Sequence, residues 1–191
     1  MILDRKREVV IEHSKDKHKK MEETHMENQE NLTHCVIAED FKHGENFKCA
    51  AYVVIEEGCE VGDNVTIGPF CHFKPNTRIG SNVKIDSYVK SSGQNQIGNN
   101  VTLRYNTTIA REVIVEDDCY ISPNVMTNYQ TADGGKKGGM VIGRGTFVGT
   151  GAVIHHGVKI APGTKIGSMS FVNKDISEPG TYIGVPARKI K

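Results

Sequence analysis

The chain has 191 residues with 24 basic and 23 acidic side chains, a formal net charge of +1. That balance argues against nucleic acid as the main partner, because phosphate binding leaves a basic excess or a dense basic patch. The longest stretch without a polar residue, Cys49 to Ile55, falls far short of the roughly 20 residues of a membrane span. Nor does an apolar signal-peptide core follow Met1, so the expectation is a cytoplasmic chain of one ordinary domain.

Residues 1–42 come first and read as a charged extension. They carry the basic run Lys15-Asp-Lys-His-Lys-Lys and a Glu-rich stretch to Glu30. A charged helix with a poor apolar face is predicted around residues 4–30, either a solvated arm or a segment docked on the following domain. A membrane-surface or nucleic-acid arm is the minority reading, and no role is assigned to it.

The next segment, residues 43–178, is built differently. Trp is absent, aromatic residues make up 6%, and there are 20 glycines. A core this poor in rings must be filled by aliphatic side chains at many small equivalent sites, and that points to a repeat. From Ile55 the chain falls into blocks of six, and eleven of the first twelve begin with Ile, Val, Leu or Phe; the exception is Ser91. The fifth place of each block is Cys, Val, Thr or, at Asn95, Asn. After the interruption the frame resumes at Ile142, Val148, Ile154, Ile160, Ile166 and Val172.

A short strand and a tight corner fit in six residues. Three blocks close a coil of 18, and coils stack at the strand spacing of about 4.8 Å. First places then point inward, fifth places fill the corners, and Gly, Asn and Asp between them supply the turns. Cys59, Cys71 and Cys119 occupy fifth places and read as small buried hydrophobes. The cysteines are five in number and form no CxxC pair, so neither a disulfide framework nor a cysteine zinc site is expected.

The frame breaks between Met126 and Ile142, where 15 residues replace a block of six. An insertion can leave a coil only at a corner, so a protruding loop over about 127–141 is predicted, and long loops on rigid scaffolds tend to carry function. Counting 18 per coil stacks Ser92, Ala110, Asn128, His155 and Asn173 in one column. Gly93, Arg111, Tyr129, His156 and Lys174 form the next. Both histidines therefore sit about one rung from the base of the loop and face outward. Exposed corner residues, a contact between subunits, and catalysis or cofactor contact all remain open for them. The adjacent pair lacks zinc-ligand spacing, so no metal is expected. Glu116-Asp-Asp reads first as corner residues and second as a source of a base.

The six-residue blocks resemble the repeat of the hexapeptide acyltransferase superfamily, whose fold is a left-handed parallel β-helix; the hand comes from that resemblance. The stretches Val101-Thr-Leu-Arg-Tyr-Asn-Thr-Thr-Ile and Val115-Glu-Asp-Asp-Cys-Tyr-Ile-Ser-Pro-Asn-Val-Met-Thr-Asn are similar to the bacterial nucleotide-sugar N-acyltransferase branch, as is the ending Gly184-Val-Pro-Ala-Arg-Lys-Ile in the tail, residues 179–191. Met126-Thr-Asn matches the Phe-Thr-Asn segment that opens the loop in that branch. The Asn-Pro-Arg that usually follows is replaced by Tyr129-Gln-Thr-Ala-Asp-Gly-Gly, a departure on the sugar side.

The resemblance implies acyl transfer, acetyl or another short acyl group, from a CoA thioester to the amine of a nucleotide-linked amino sugar. The alternatives are O-acetylation of a sugar or other small acceptor, and a non-catalytic scaffold. The implied catalytic residues are Asn128, which orients the amine, and His155 or His156, the proton acceptor. Ser92, Arg111 and Tyr129 are the substrate-binding candidates. Thr150, Gly151 and Ser168 would line the pantetheine, with Lys174 and Arg188 near the CoA phosphates. A homotrimer, with CoA between neighbouring β-helices, completes the expectation.

Overall fold

The computed structural model describes residues 34–135 and 138–191. The helix predicted around residues 4–30 lies outside the described residues. The described chain is all β, a left-handed parallel β-helix with three faces. Eight, seven and nine strands make up the first, second and third sheets. Nearly every strand is two residues long, as the six-residue block demands.

The register is 18 residues per coil. On the first sheet Ile55 pairs with Phe73, Phe73 with Ser91 and Ser91 with Ile109. Main-chain bonds run coil to coil, for instance Gly62 N to Ile79 O at 2.9 Å and Gly80 N to Ile97 O at 2.7 Å. Strands Val36–Ile37 and Lys42–His43 already pair with Val54–Ile55 and Glu60–Val61. The coil thus starts inside the stretch that the sequence assigns to the extension. At the other end Thr181–Ile183 adds to the third sheet in parallel, and Arg188–Lys189 turns back on it antiparallel. No helix among the described residues is long and apolar enough to cross a membrane.

First places form the core: Ile55, Ile67, Ile85, Leu103, Ile109, Ile121, Ile142, Ile154 and Ile166 are all essentially buried. Burial of such aliphatic side chains is the main stabilising term of the fold. The fifth places are buried too, and there the structure adds chemistry. Cys71 Sγ donates to Asp86 O (3.1 Å), Cys119 Sγ to Gly143 O (3.2 Å) and Thr107 Oγ1 to Ser122 O (3.1 Å). These residues are small donors to carbonyls of the facing corner as well as small hydrophobes. Burial pushes the Cys71 and Cys119 thiols up to about 11, so they stay neutral.

The exceptional block at Ser91 is a buried polar cluster. Ser91 Oγ donates to Asn95 Oδ1 and lies 2.7 Å from Thr77 Oγ1, while Asn95 Nδ2 donates to Ala110 O. Thr77, Ser91 and Asn95 are all at most 3% exposed. A polar core block is tolerated because its groups satisfy one another.

The three edges differ in chemistry. Between the second and third sheets Asn46, Asn64, Asn82 and Asn100 take the left-handed corner conformation. Between the third and first sheets the same position is held by His34, Tyr52, Phe70 and Tyr88, all with φ near +60°. Their rings stack at 5.0, 5.1 and 4.9 Å. Beside this edge, Arg104 pairs with Asp86 at 2.5 Å and lies over the Tyr105 ring at 5.3 Å. The third edge carries the loop.

Candidate functional site

Strand Met126–Thr127 belongs to the first sheet and Val141–Ile142 to the second, so the insertion leaves at the corner between them. Its base is pinned by a side chain. Thr127 Oγ1 donates to Thr108 O (3.2 Å) and accepts from Ala110 N (2.7 Å), taking the place of a main-chain acceptor in the ladder. Beyond it, Thr131 N and Thr131 Oγ1 both donate to Gly135 O, at 2.9 and 3.0 Å. Gln130 Nε2 reaches Gly134 O at 3.3 Å, closing a tight turn in the loop.

Both limbs of the loop rest on Glu112. Tyr129 Oη donates to Glu112 Oε1 at 3.3 Å. A Cβ on Gly138 would stand 1.9 Å from Glu112 Oε2 and 3.0 Å from its Cδ, so a larger residue there would push the Glu112 carboxylate aside. Sequence reasoning missed Glu112. Its signal is a Glu at a corner position with φ +60°, where Gly, Asn or Asp is the ordinary choice.

The column read from the 18-residue count is present. Thr127 pairs with Ile154 and Ile154 with Val172. Asn128 N donates to Ile154 O (3.0 Å), His155 N to Val172 O (2.8 Å) and Ser92 N to Ile109 O (2.8 Å). Asn128, His155 and His156 therefore meet on adjacent rungs beside the loop, all half-buried. Ser92 lies two rungs below Asn128, roughly 9–10 Å away along the stack. The histidine rings lie 3.8 Å apart, and His155 also meets the edge of Phe171 at 5.7 Å. His156 Nδ1 is buried and has no hydrogen-bond partner among the described residues.

Arg111 lies one rung below Tyr129 and Lys174 one rung above His156, both exposed. They bracket the loop base with two cations over three rungs, about 14 Å. Thr150, Gly151 and Ser168 fall on a different edge, the corner between the third and first sheets, where Met169 N donates to Thr150 O at 2.8 Å. The first sheet thus separates this group from the histidines. Arg188 stands in the C-terminal hairpin, its Nη1 on Ala187 O (2.8 Å), and Ala187 N donates to Phe171 O (2.8 Å). Among the described residues no group of three His, Cys, Asp or Glu side chains could hold a metal ion.

Comparisons with known proteins fit this architecture. Residues 58–90 and 139–174 match the family described as bacterial transferase hexapeptide (six repeats). A chloramphenicol acetyltransferase from Klebsiella aerogenes is 43% identical over 56 residues, 29% of this chain and 27% of that enzyme. The chain therefore spans little more than a quarter of that relative. A UDP-N-acetylglucosamine O-acyltransferase from Moraxella catarrhalis superposes with a TM-score of 0.67 at 20% identity, covering 82% of this chain and 72% of the other. A perosamine N-acetyltransferase variant from Caulobacter crescentus, in complex with CoA and GDP-perosamine, gives a TM-score of 0.60 at 24% identity, covering 66% and 56%. At these identities the two structures show the fold. Residues 58–90 and 139–174 thus carry the repeat described as bacterial transferase hexapeptide, and the described chain winds as a left-handed parallel β-helix with one long corner loop.

Proposed function

We propose that the chain is a CoA-dependent acyltransferase that moves an acetyl or other short acyl group to the amine of a nucleotide-linked amino sugar. The observation that carries this reading is the convergence of Asn128, His155 and His156 on neighbouring rungs at the base of the loop. It is supported by the likeness to a fold-mate bound to CoA and GDP-perosamine.

In the proposed reaction the neutral amine attacks the thioester carbonyl, a C–N bond forms, the C–S bond breaks, and CoA leaves as the thiol. One amine proton must be taken up and one delivered to sulfur. The Asn128 side chain orients the amine. His156 is the proton acceptor: with Nδ1 unpartnered, no hydrogen bond to that nitrogen fixes its tautomer. His155, wedged between His156 and Phe171, holds the second ring in place. Arg111 and Lys174 face the nucleotide and CoA phosphates, with Ser92 and Tyr129 on the sugar side. Thr150, Gly151 and Ser168 line the pantetheine arm across the first sheet, with Arg188 near the CoA phosphates.

A thin prism has no deep pocket of its own, so the reading includes a homotrimer in the cytoplasm with the acyl donor between neighbours. The exposed side chains Tyr52, Phe70, Tyr88, Tyr105 and Met169, 43–71% accessible, collect on the edge between the third and first sheets. That edge also carries the pantetheine candidates, and an aromatic row with Arg104 beside it has the composition of a subunit contact.

Thiol release from acetyl-CoA with a panel of nucleotide-linked amino sugars tests the reaction. Asn128→Ala and His156→Ala are expected to lower kcat/KM by about 100-fold or more, the usual range for a lost general base. No release with any sugar refutes the acceptor class, and full activity in both variants refutes the column. A melting temperature unmoved by CoA would favour the scaffold reading.

A further inference from the structure

Across the corner from Asn128 and the histidines, beneath the loop, lies a trough of about 470 Å³ lined by Asn76, Arg78, Gln94, Gln96 and Glu112. Through Arg78 and Gln96 it opens into a shallower one of about 740 Å³ that runs along the second sheet over Gly62, Gly80 and Gly98. Both are open grooves, so a ligand would lie along them with one face in solvent.

The floor is bare by necessity. A Cβ on Gly62 would stand 2.4 Å from Ser81 Oγ, on Gly80 2.6 Å from Asn99 Oδ1, and on Gly98 2.4 Å from Asp117 Oδ1. The stacked corner that excludes those side chains leaves a flat glycine ribbon against which a ring can lie.

The walls are amides with free valence. On the neighbouring edge asparagines pair up the stack, Asn46 Nδ2 to Asn64 Oδ1 (2.9 Å) and Asn64 Nδ2 to Asn82 Oδ1 (3.1 Å). Here the side-chain amides of Asn76, Gln94 and Gln96 have no hydrogen-bond partner among the described residues. Each offers a donor pair and an acceptor; Arg78 adds a donor fork and Glu112 a carboxylate. Vicinal hydroxyls, which donate and accept at once, match such a wall.

Charge decides between a polyol and a phosphate. The two troughs hold four carboxylates (Glu60, Glu112, Glu116, Asp117) against two guanidinium groups, Arg78 and Arg144. Arg144 is already committed to Asp117 at 2.7 Å. Lys42, 3.0 Å from Glu60, offsets one carboxylate from outside the trough, and the remaining excess of one negative charge disfavours a phosphate and leaves a neutral ligand unaffected.

We propose that this trough is a binding site for a neutral saccharide, its hydroxyls on Asn76, Gln94, Gln96 and Glu112 and the C–H face of its rings on the glycine ribbon. The site borders the acyl-transfer reading at Glu112, which holds Tyr129, but needs neither CoA nor the histidines. Because Glu112 also holds Tyr129 and the returning limb of the loop, a saccharide there touches the loop at its foothold.

Ligand-observed saturation-transfer NMR on the full chain, without CoA, tests it, with cellotriose and triacetylchitotriose as probes and UDP as competitor. Transfer to at least one trisaccharide is expected, with affinity falling at least about tenfold in Gln94→Ala/Gln96→Ala, the equivalent of one or two lost hydrogen bonds. The size-matched pair Gln94→Glu/Gln96→Glu, which removes both amide donors, must weaken binding as well and serves if the alanine pair misfolds. Absence of transfer to both probes, unchanged transfer in the folded variants, or displacement by UDP overturns the proposal. Thiol release and CoA-induced stabilisation are measured separately, so failure of the acyl-transfer reading cannot be mistaken for failure of this one.

Discussion

Asn95→Val probes the polar block in the middle of the core. Asn95 is fully buried, donating to Ala110 O and accepting from Ser91 Oγ. Valine fits the repeat and keeps a similar branched shape, but removes both bonds. Ser91 keeps its contact with Thr77 Oγ1 (2.7 Å) and accepts from Gly93 N (3.2 Å), so its hydroxyl is not stranded. The Ala110 carbonyl is. An unsatisfied buried carbonyl costs about 1–3 kcal/mol, and the added methyl surface returns roughly 1 kcal/mol. The net expectation is a loss of ~0–2 kcal/mol, centred near 1 kcal/mol. It should appear as a lower urea midpoint, followed by circular dichroism at fixed protein concentration, with an unchanged slope. Ser91→Ala combined with Asn95→Val should cost less than the two single changes added, because both cut one network. A variant as stable as the parent, within about 0.5 kcal/mol, would show that the block is merely tolerated polar filling and that its hydrogen bonds do not hold the core.

The buried thiols set an alkaline limit. With Cys71 and Cys119 held near 11 against an ordinary 9.0, their stabilising contribution is complete below pH 9 and is lost as pH climbs from 9 through 11, because only the unfolded chain ionises there. Denaturant midpoints between pH 8 and 11 would show it, and a flat profile would contradict it. Gly143→Ala would put a Cβ 2.4 Å from Ile160 O and 2.6 Å from Pro162 N, main-chain atoms that have no rotamer to move. A loss of ~1–3 kcal/mol is expected in the same measurement, and an unchanged midpoint would refute the packing argument. Replacing Tyr52, Phe70 and Tyr88 together by Asn, which accepts their left-handed backbone, should leave the coil folded and convert a trimer to monomers in light scattering; a surviving trimer would move the subunit contact to another edge.

Most of the coil was legible because its period is rigid. Counting 18 residues places Asn128, His155 and His156 on one face, and the ladder from Thr127 through Ile154 to Val172 follows that count. The start of the first coil, residues 36–42, was not legible, since the frame there ends on His43, exposed at the open end. Hydrogen bonds from fifth-place cysteines were hidden as well: composition shows a small side chain, and only the facing corner shows the carbonyl it reaches. The corner rings escaped for a different reason. Tyr52, Phe70 and Tyr88 occupy a conformation that costs a side chain with a Cβ about 1–2 kcal/mol, and stacking between them, about 0.5–1.5 kcal/mol per pair, offsets it only once the coils are in place. The Glu112 foothold depends on where a loop returns, which no repeat encodes.

The buried polar cluster at Ser91 and Asn95 also divides the molecule mechanically. In a solenoid each coil touches only its neighbours, so cooperativity passes along the axis one interface at a time. Along the edge between the first and second sheets the aliphatic stack gives way at the cluster to directional bonds, while Ile79, Ile85, Ile97 and Leu103 carry the aliphatic core past it on the other two sheets. The coils below it and the coils above it, which bear the loop and the histidines, are therefore joined along this one edge by a polar seam set in a continuous core. Amide exchange should step at that seam, and a partial opening of the lower segment would leave the loop-bearing end intact.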